Sequence, residues 1–301
     1  MTDVLVMGAT GTTGSRVAAL LAGRGVTTRL ATRTPKSTGQ IRFDWSDRDT
    51  YEDALRGVSA VYLIAPIGVA DPVPLAEPFL EEAVRQRVRR VVQLSSSAVP
   101  EGSPGLGAMH RLVRTAMPEW AVLRPSWFMQ NFSGDHLVAR GVRDGEIVTA
   151  TGDGRVAFID AGDIAAVAAR ALTDEVPHNT EHILTGPEAL SYADAADILT
   201  RHTGRTVRHR SVPADEAARR ITEHGIPADF AQVLAAMDVD IRDGAEDRVT
   251  NTVETVTGRP ARSFSTFAAE EFESGRPLYR ADSDHGEFRA PGRGALSGPG
   301  G

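Results

Sequence analysis

A short apolar run, Val4 to Met7, leads straight into GATGTTG, Gly8 to Gly14, and then into SRVAALLA, Ser15 to Ala22, whose apolar spacing is helical. Three glycines at intervals of three between a strand and a helix leave few folds open. Without Cβ atoms the turn lets backbone amides, and the amino end of the following helix, come close to a pyrophosphate. In isolation the pattern makes only a glycine-rich turn, so its setting decides. Thr28 to Ala31 reads as a second strand, which completes a βαβ unit.

The alternation continues along the chain. Asp49 to Arg56 reads as a helix closed by Gly57, and Ala60 to Ile64 as a strand that ends before Pro66. Pro78 to Gln86 reads as a helix that starts on its proline, Arg90 to Leu94 as a strand, Ala108 to Ala116 as a helix and Ala121 to Arg124 as a strand. Unbroken apolar strands separated by helices predict a parallel sheet covered on both faces, an α/β, Rossmann-type doubly wound fold.

Composition excludes several classes of function. A net charge of -7 offers no basic surface for nucleic acid. With no cysteine, disulfides, thiolate catalysis and cysteine-held metals are ruled out. Neither a signal peptide nor an apolar run of about 18 residues is present, so no membrane partner and a cytoplasmic setting are expected. The stretch DVDIRDGAED, Asp238 to Asp247, puts Arg242 where a calcium loop needs a ligand; His178, His182, His202, His209 and His224 lack zinc spacing.

GATGTTG resembles the fingerprint of atypical short-chain dehydrogenase/reductases, specifically the NmrA-like family. HRLVRTAMPEWAVLRPSWFMQNF, His110 to Phe132, resembles that family's histidine-led helix, LRP strand end and FMQN loop. FIDAGDIAAVAARAL, LTGPEALSYADAADILTRHTGR and VTGRPARSFSTFAAEEF extend the likeness to Phe272, and several of these segments resemble the branch of ergot-alkaloid reductases acting on cyclic iminium ions. The resemblance implies an NADP(H)-binding Rossmann core over 1–150. Residues 151–273 would hold the remaining sheet elements and a small C-terminal substrate-binding subdomain. The Gly-, Pro- and charge-rich stretch 274–301 reads as a disordered tail.

Cofactor contacts are expected from Gly8, Thr10, Gly11, Thr12, Thr13 and Gly14. After the second strand, RLATRTPKS offers Arg33 and Lys36 and no carboxylate, so NADP(H) is preferred over NAD(H), with Arg33 on the 2′-phosphate; the alternative is two cations that merely solvate a loop. The resemblance further implies Asp44 and Trp45 at the adenine edge, Ala65 and Pro66 along the cofactor, and Ser95, Ser96 and Pro125 near the nicotinamide.

For catalysis the resemblance places Ser97 as the substrate-orienting serine and His110 in the position of the family's lysine. Leu106 stands in place of the tyrosine. A ketone then lacks the acid that commonly contributes about 10²–10⁴ in rate. An iminium carbon has no such need. His110, at the start of its helix, is either a structural hydrogen-bonding group or an aid to proton movement at the nicotinamide ribose. The acidic residue expected four positions later is Arg114, which argues against a His-carboxylate relay. Trp127, Phe128, Met129 and Asn131 are expected to wall the substrate pocket, Phe132 beside them, or else to belong to the core. Asp163 is expected to cap the following helix. Two functions fit: an NADPH-dependent reductase of a small imine-like, enone or quinone-like metabolite, or a non-catalytic NADP(H) sensor that binds a protein partner.

Overall fold

A computed structural model describes residues 3–66 and 68–272, so the tail expected over 274–301 lies outside the described residues. Its strands are β1 (Asp3–Val6), β2 (Thr27–Thr32), β3 (Gln40–Arg42), β4 (Ala60–Ile64), β5 (Arg90–Leu94), β6 (Glu119–Pro125), β7 (Glu146–Thr149), β8 (Arg155–Val156), β9 (Thr180–Leu184), β10 (Leu190–Ser191) and β11 (Arg208–Ser211). Seven of them form one sheet in the order β3-β2-β1-β4-β5-β6-β9, and every neighbouring pair in it is parallel. The order reverses between β1 and β4. A crevice at the carboxyl ends of those strands is where such sheets bind ligands.

The helices that link the strands are α1 (Gly14–Gly23), α2 (Asp49–Leu55), α3 (Val73–Arg85), α4 (Leu106–Ala116), α5 (Leu137–Asp144) and α6 (Ala161–Thr173). Alternation within β4 shows how both faces are filled. Ala60 and Tyr62 join Val17, Leu21, Ile164 and Val167 on the α1 and α6 side. Val61 and Leu63 join Ala54, Phe79 and Met109 on the α2, α3 and α4 side. The remaining helices, α7 (Tyr192–Thr203), α8 (Ala214–Glu223), α9 (Ala228–Arg242), α10 (Thr252–Thr257) and α11 (Phe264–Phe272), belong to the second half of the chain. There Phe132, Phe158, Tyr192 and Phe264 pack ring on ring at centroid distances of 4.8 to 5.8 Å.

Several local expectations change. β3 has no apolar run of its own and exists through its register with Leu30 to Thr32 of β2. Helix α3 starts at Val73 rather than Pro78, because the buried stripe Ala76, Phe79, Leu80 and Ala83 needs the earlier turn; Pro78 sits inside it. His110 lies in the second turn of α4 and not at its start. The cap of α6 is Asp160, whose carboxylate accepts from Gly162 N at 2.6 Å, and not Asp163. Asp163 instead accepts from Arg262 N at 2.8 Å, and burial raises its pKa. No helix of the described residues is long and apolar enough to cross a membrane, and they contain no group of three metal-binding side chains.

Candidate active site

The turn after β1 has the geometry that a pyrophosphate requires. Gly8 adopts φ +58°, and Gly11 N donates to Gly8 O at 2.8 Å, closing the turn. A Cβ on Gly14 would fall 2.2 Å from Gly8 O and 2.8 Å from Met7 O, so α1 can start against the strand end only as glycine. Thr10, Gly11 and Thr12 remain exposed, while Thr13 is buried. With no acidic residue in the first turn of α1, the positive end of the helix faces the turn uncompensated. These residues fit the dinucleotide that the fold implies.

On one side of the turn, beyond β2, Arg33 and Lys36 are exposed. Asp44 is held below the usual carboxylate range by hydrogen bonds from Ser46 N and Oγ, with Arg33 and Arg42 adding smaller effects. The Trp45 ring meets Phe43, Tyr51 and Phe79, and its carbonyl accepts from Tyr51 Oη at 2.8 Å, so its half-buried edge is rigidly placed. On the other side, Ala65 and Pro66 continue β4 and are half-buried.

The serines follow β5. Ser95 N donates to Leu123 O and Ser97 N to Pro125 O, which extends the sheet edge up to the LRP end. Ser95 and Ser97 are buried, Ser96 half-buried. The Ser97 hydroxyl donates to Glu246 Oε2 at 2.7 Å. Arg124 Nη2 and Arg248 Nη2 both donate to the Ser97 carbonyl, at 2.9 and 3.1 Å. Arg124 Nε also reaches Ser96 O, and its Nη1 pairs with Glu181 Oε2 at 2.8 Å. The serine turn is therefore clamped from two sides by cations.

His110 joins the far end of this cluster. It is 1% exposed, its Nδ1 lies 3.8 Å from Glu181 Oε2, and neither ring nitrogen has a hydrogen-bond partner among the described residues. Burial lowers its pKa, which keeps the ring neutral at neutral pH. Arg114, which displaced the expected acid on the helix, pairs with Glu101; strand β9 supplies a carboxylate instead. Gln93 Oε1, Ser95 Oγ, Ser126 Oγ and Arg248 Nε are likewise buried without a partner among the described residues. Buried donors and acceptors are otherwise almost always paired, so these atoms mark polar groups open to a ligand or water.

The FMQN loop divides differently from expectation. Met129 is fully buried and Phe132 is 1% exposed, both in the core of the second half, so Met129 is no pocket wall. Trp127, Phe128 and Asn131 are half-buried. Met129 N donates to Ile159 O and Ile159 N to Trp127 O, a bridge that turns Met129 inward and leaves Trp127 and Phe128 half-buried. Gln130 fixes the loop further through Asp160 Oδ2 and Ala161 N.

Glu246, Arg248, Arg124 and Glu181 were not singled out in the sequence. Arg124 stood in view inside the LRP strand end. Glu246 lies 149 residues from Ser97 in an acidic stretch, with no local pattern to distinguish it.

The chain matches an NAD(P)H-binding family over residues 8–175 and the NmrA-like family over residues 110–270. It is 48% identical to the uncharacterized oxidoreductase YesF of Bacillus subtilis over 269 residues, 88% of this chain and 94% of that one. It is 38% identical over 282 residues to festuclavine synthase II of Penicillium roqueforti, covering 89% of this chain and 98% of the other. Among solved structures, the NADPH-dependent quinone oxidoreductase QOR2 of Escherichia coli, complexed with NADPH, superposes with a TM-score of 0.77 at 21% identity, over 89% of this chain and 99% of that one. Glycine turn, serine strand end and FMQN loop thus stand on a shared fold, and the chain belongs to the NmrA-like family of NAD(P)H-binding oxidoreductases.

Proposed function

We propose that the protein is an NADPH-dependent reductase of a small, planar acceptor, an iminium-like C=N⁺ group above all, with quinones and enones as weaker acceptors. The observation that carries this reading is the missing proton donor. Leu106 occupies the tyrosine's place, and its carbonyl accepts from Gln93 Nε2 at 3.3 Å. The three tyrosines among the described residues, Tyr51, Tyr62 and Tyr192, are buried within the cores. A ketone that gains a hydride needs a proton on oxygen, whereas a substituted iminium becomes a neutral amine with none. Festuclavine synthase II supports the same reading by its sequence likeness.

Bound NADPH supplies the hydride. Amides of Thr10 to Gly14 and the start of α1 would hold the pyrophosphate, and Arg33 with Lys36 the 2′-phosphate. Asp44 and Trp45 would border the adenine; Ala65, Pro66, Ser95, Ser96 and Pro125 would line the path toward the nicotinamide. Ser97 would orient the substrate edge, while Trp127, Phe128 and Asn131 would exclude water from one side. His110, neutral and buried, would complete a polar floor beneath the ribose by hydrogen bonding to it.

The test follows NADPH absorbance with a cyclic iminium, an enone and a quinone, while NADPH and NADH binding are titrated in parallel. Iminium turnover exceeding that of a matched ketone by tenfold or more is expected. Tight NADPH binding with no turnover on any acceptor would overturn the reductase reading and leave the dinucleotide sensor in its place.

A further inference from the structure

Glu246 is a carboxylate 3% exposed, delivered by the stretch after α9 to the serine turn, and nothing in the mechanism above uses it. We propose that Glu246 is a positioning residue that sets the polarity of the Ser97 hydroxyl, and so selects substrates that bring an N–H or a positive charge to that oxygen. The proposal rests on the reading that Ser97 faces the substrate.

A serine hydroxyl has one proton and two lone pairs. Here the proton is committed to Glu246 Oε2 at 2.7 Å. The other carboxylate oxygen is engaged by Arg248 Nη2 at 3.2 Å, so an ion pair occupies it. Rotation of Ser97 away from this bond is opposed by its surroundings. Its backbone is fixed by Arg124 and Arg248 on the carbonyl and by Pro125 O on the amide, and burial leaves the side chain itself little room to turn. Toward the crevice Ser97 therefore offers lone pairs only. A bond donated to a carboxylate also makes the hydroxyl oxygen a stronger acceptor.

The consequence is a selection between acceptors. A protonated or cationic nitrogen meets an acceptor, whereas a carbonyl or ether oxygen meets lone pair against lone pair, which leaves a buried group unpaired. A difference of about tenfold to a hundredfold in affinity corresponds to one charge-assisted hydrogen bond. The same device reinforces the missing tyrosine. One feature denies a ketone its acid; the other denies it a donor.

The experiment uses the full chain saturated with NADP⁺ and two isosteric probes. Tetrahydroisoquinoline is an ammonium at neutral pH, and isochroman has oxygen in place of the nitrogen. Calorimetric titration of the wild type is expected to favour the ammonium at least tenfold. Ser97→Ala removes the acceptor and should abolish the preference. In Glu246→Gln the single amide oxygen is claimed by Arg248, so its NH₂ turns to Ser97, frees the hydroxyl proton and shifts the ratio at least tenfold toward isochroman. Thermal melts verify folding, and Ser97→Ala suffices if the Glu246 variant does not fold. Binding of neither probe by the wild type, or a ratio that Ser97→Ala or folded Glu246→Gln leaves unchanged, would overturn the proposal. Binding needs no turnover, so its failure is separable from failure of the reductase reading, which shows as unspent NADPH with every acceptor.

Discussion

Adding one methyl group at either end of α1 should change stability in opposite directions. At Gly14 an added Cβ would lie within 3 Å of three backbone atoms, Gly8 O, Gly8 C and Met7 O. Backbone cannot rotate aside as a side chain does, so the helix must lift from the strand end. Overpacking of this kind costs about 1–3 kcal/mol, and contact with three backbone atoms places Gly14→Ala near the upper figure. At about 2–4 °C per kcal/mol for a chain of this size, the melting temperature should fall by roughly 6–12 °C. Gly23, at the other end of the same helix, has nothing among the described residues beyond its own helix and neighbours within 4 Å of its would-be Cβ. There alanine only removes unfolded-state freedom and improves helix propensity, a gain of about 0.5–1 kcal/mol.

Cofactor binding supplies the second readout. Gly14→Ala should also weaken NADPH by tenfold or more, because the lifted helix takes its amides away from the turn. At Gly11 the added Cβ meets only Gly8 O at 3.2 Å. Gly11→Ala should therefore melt within a few degrees of wild type yet bind NADPH poorly, since its methyl occupies the approach to the pyrophosphate. Melting curves of the three variants with and without NADPH, and fluorescence titrations of affinity, make the comparison. Gly14→Ala with wild-type melting temperature and affinity would refute the argument, as would a Gly23→Ala as damaging as Gly14→Ala.

Arg33→Ala should weaken NADPH at least tenfold and leave NADH nearly unchanged, measured by titrating both; equal losses would remove Arg33 from the 2′-phosphate. Asp238, half-buried on α9 with its carboxylate accepting from Ala150 N at 2.9 Å, is pushed up by desolvation to about 6 from 3.8. Its native state binds the proton more tightly than the unfolded chain, so its contribution to stability rises as pH falls from about 6 towards 4. At about 1.4 kcal/mol per tenfold in proton affinity the ionised group costs up to about 3 kcal/mol at neutral pH. Asp238→Asn, whose amide oxygen keeps the bond to Ala150, should raise the melting temperature at pH 7.5 and not at pH 4. His182 runs the other way: burial, then His178 2.8 Å away, lowers it to about 4, so stability is lost as pH falls from about 6.5 to 4. His182→Gln should remove that loss in denaturant melts across the range, and an unchanged pH profile would exclude the histidine as its source.

What could be read from the sequence depended on how far apart the determining contacts lie. β4 declared itself through AVYLI because both of its faces are buried, and the glycine turn because backbone crowding at Gly14 arises from residues six and seven positions away. β3 did not, since three residues at a sheet edge are defined by β2 and not by their own pattern. In the site the same division appears between neighbours of similar chemistry. Phe128 and Met129 are both large and apolar, yet a bridge to Ile159, thirty residues on from Met129, leaves one half-buried and sends the other into the core. Polar contacts are harder still, because carboxylates and guanidinium groups are common on surfaces and carry no periodicity when buried. Arg124 reaches Glu181 across 57 positions and Ser97 reaches Glu246 across 149. The serine itself was visible at the strand end, but the direction of its proton was not. That direction is a tertiary property, and on it depends which atom of a substrate Ser97 can receive.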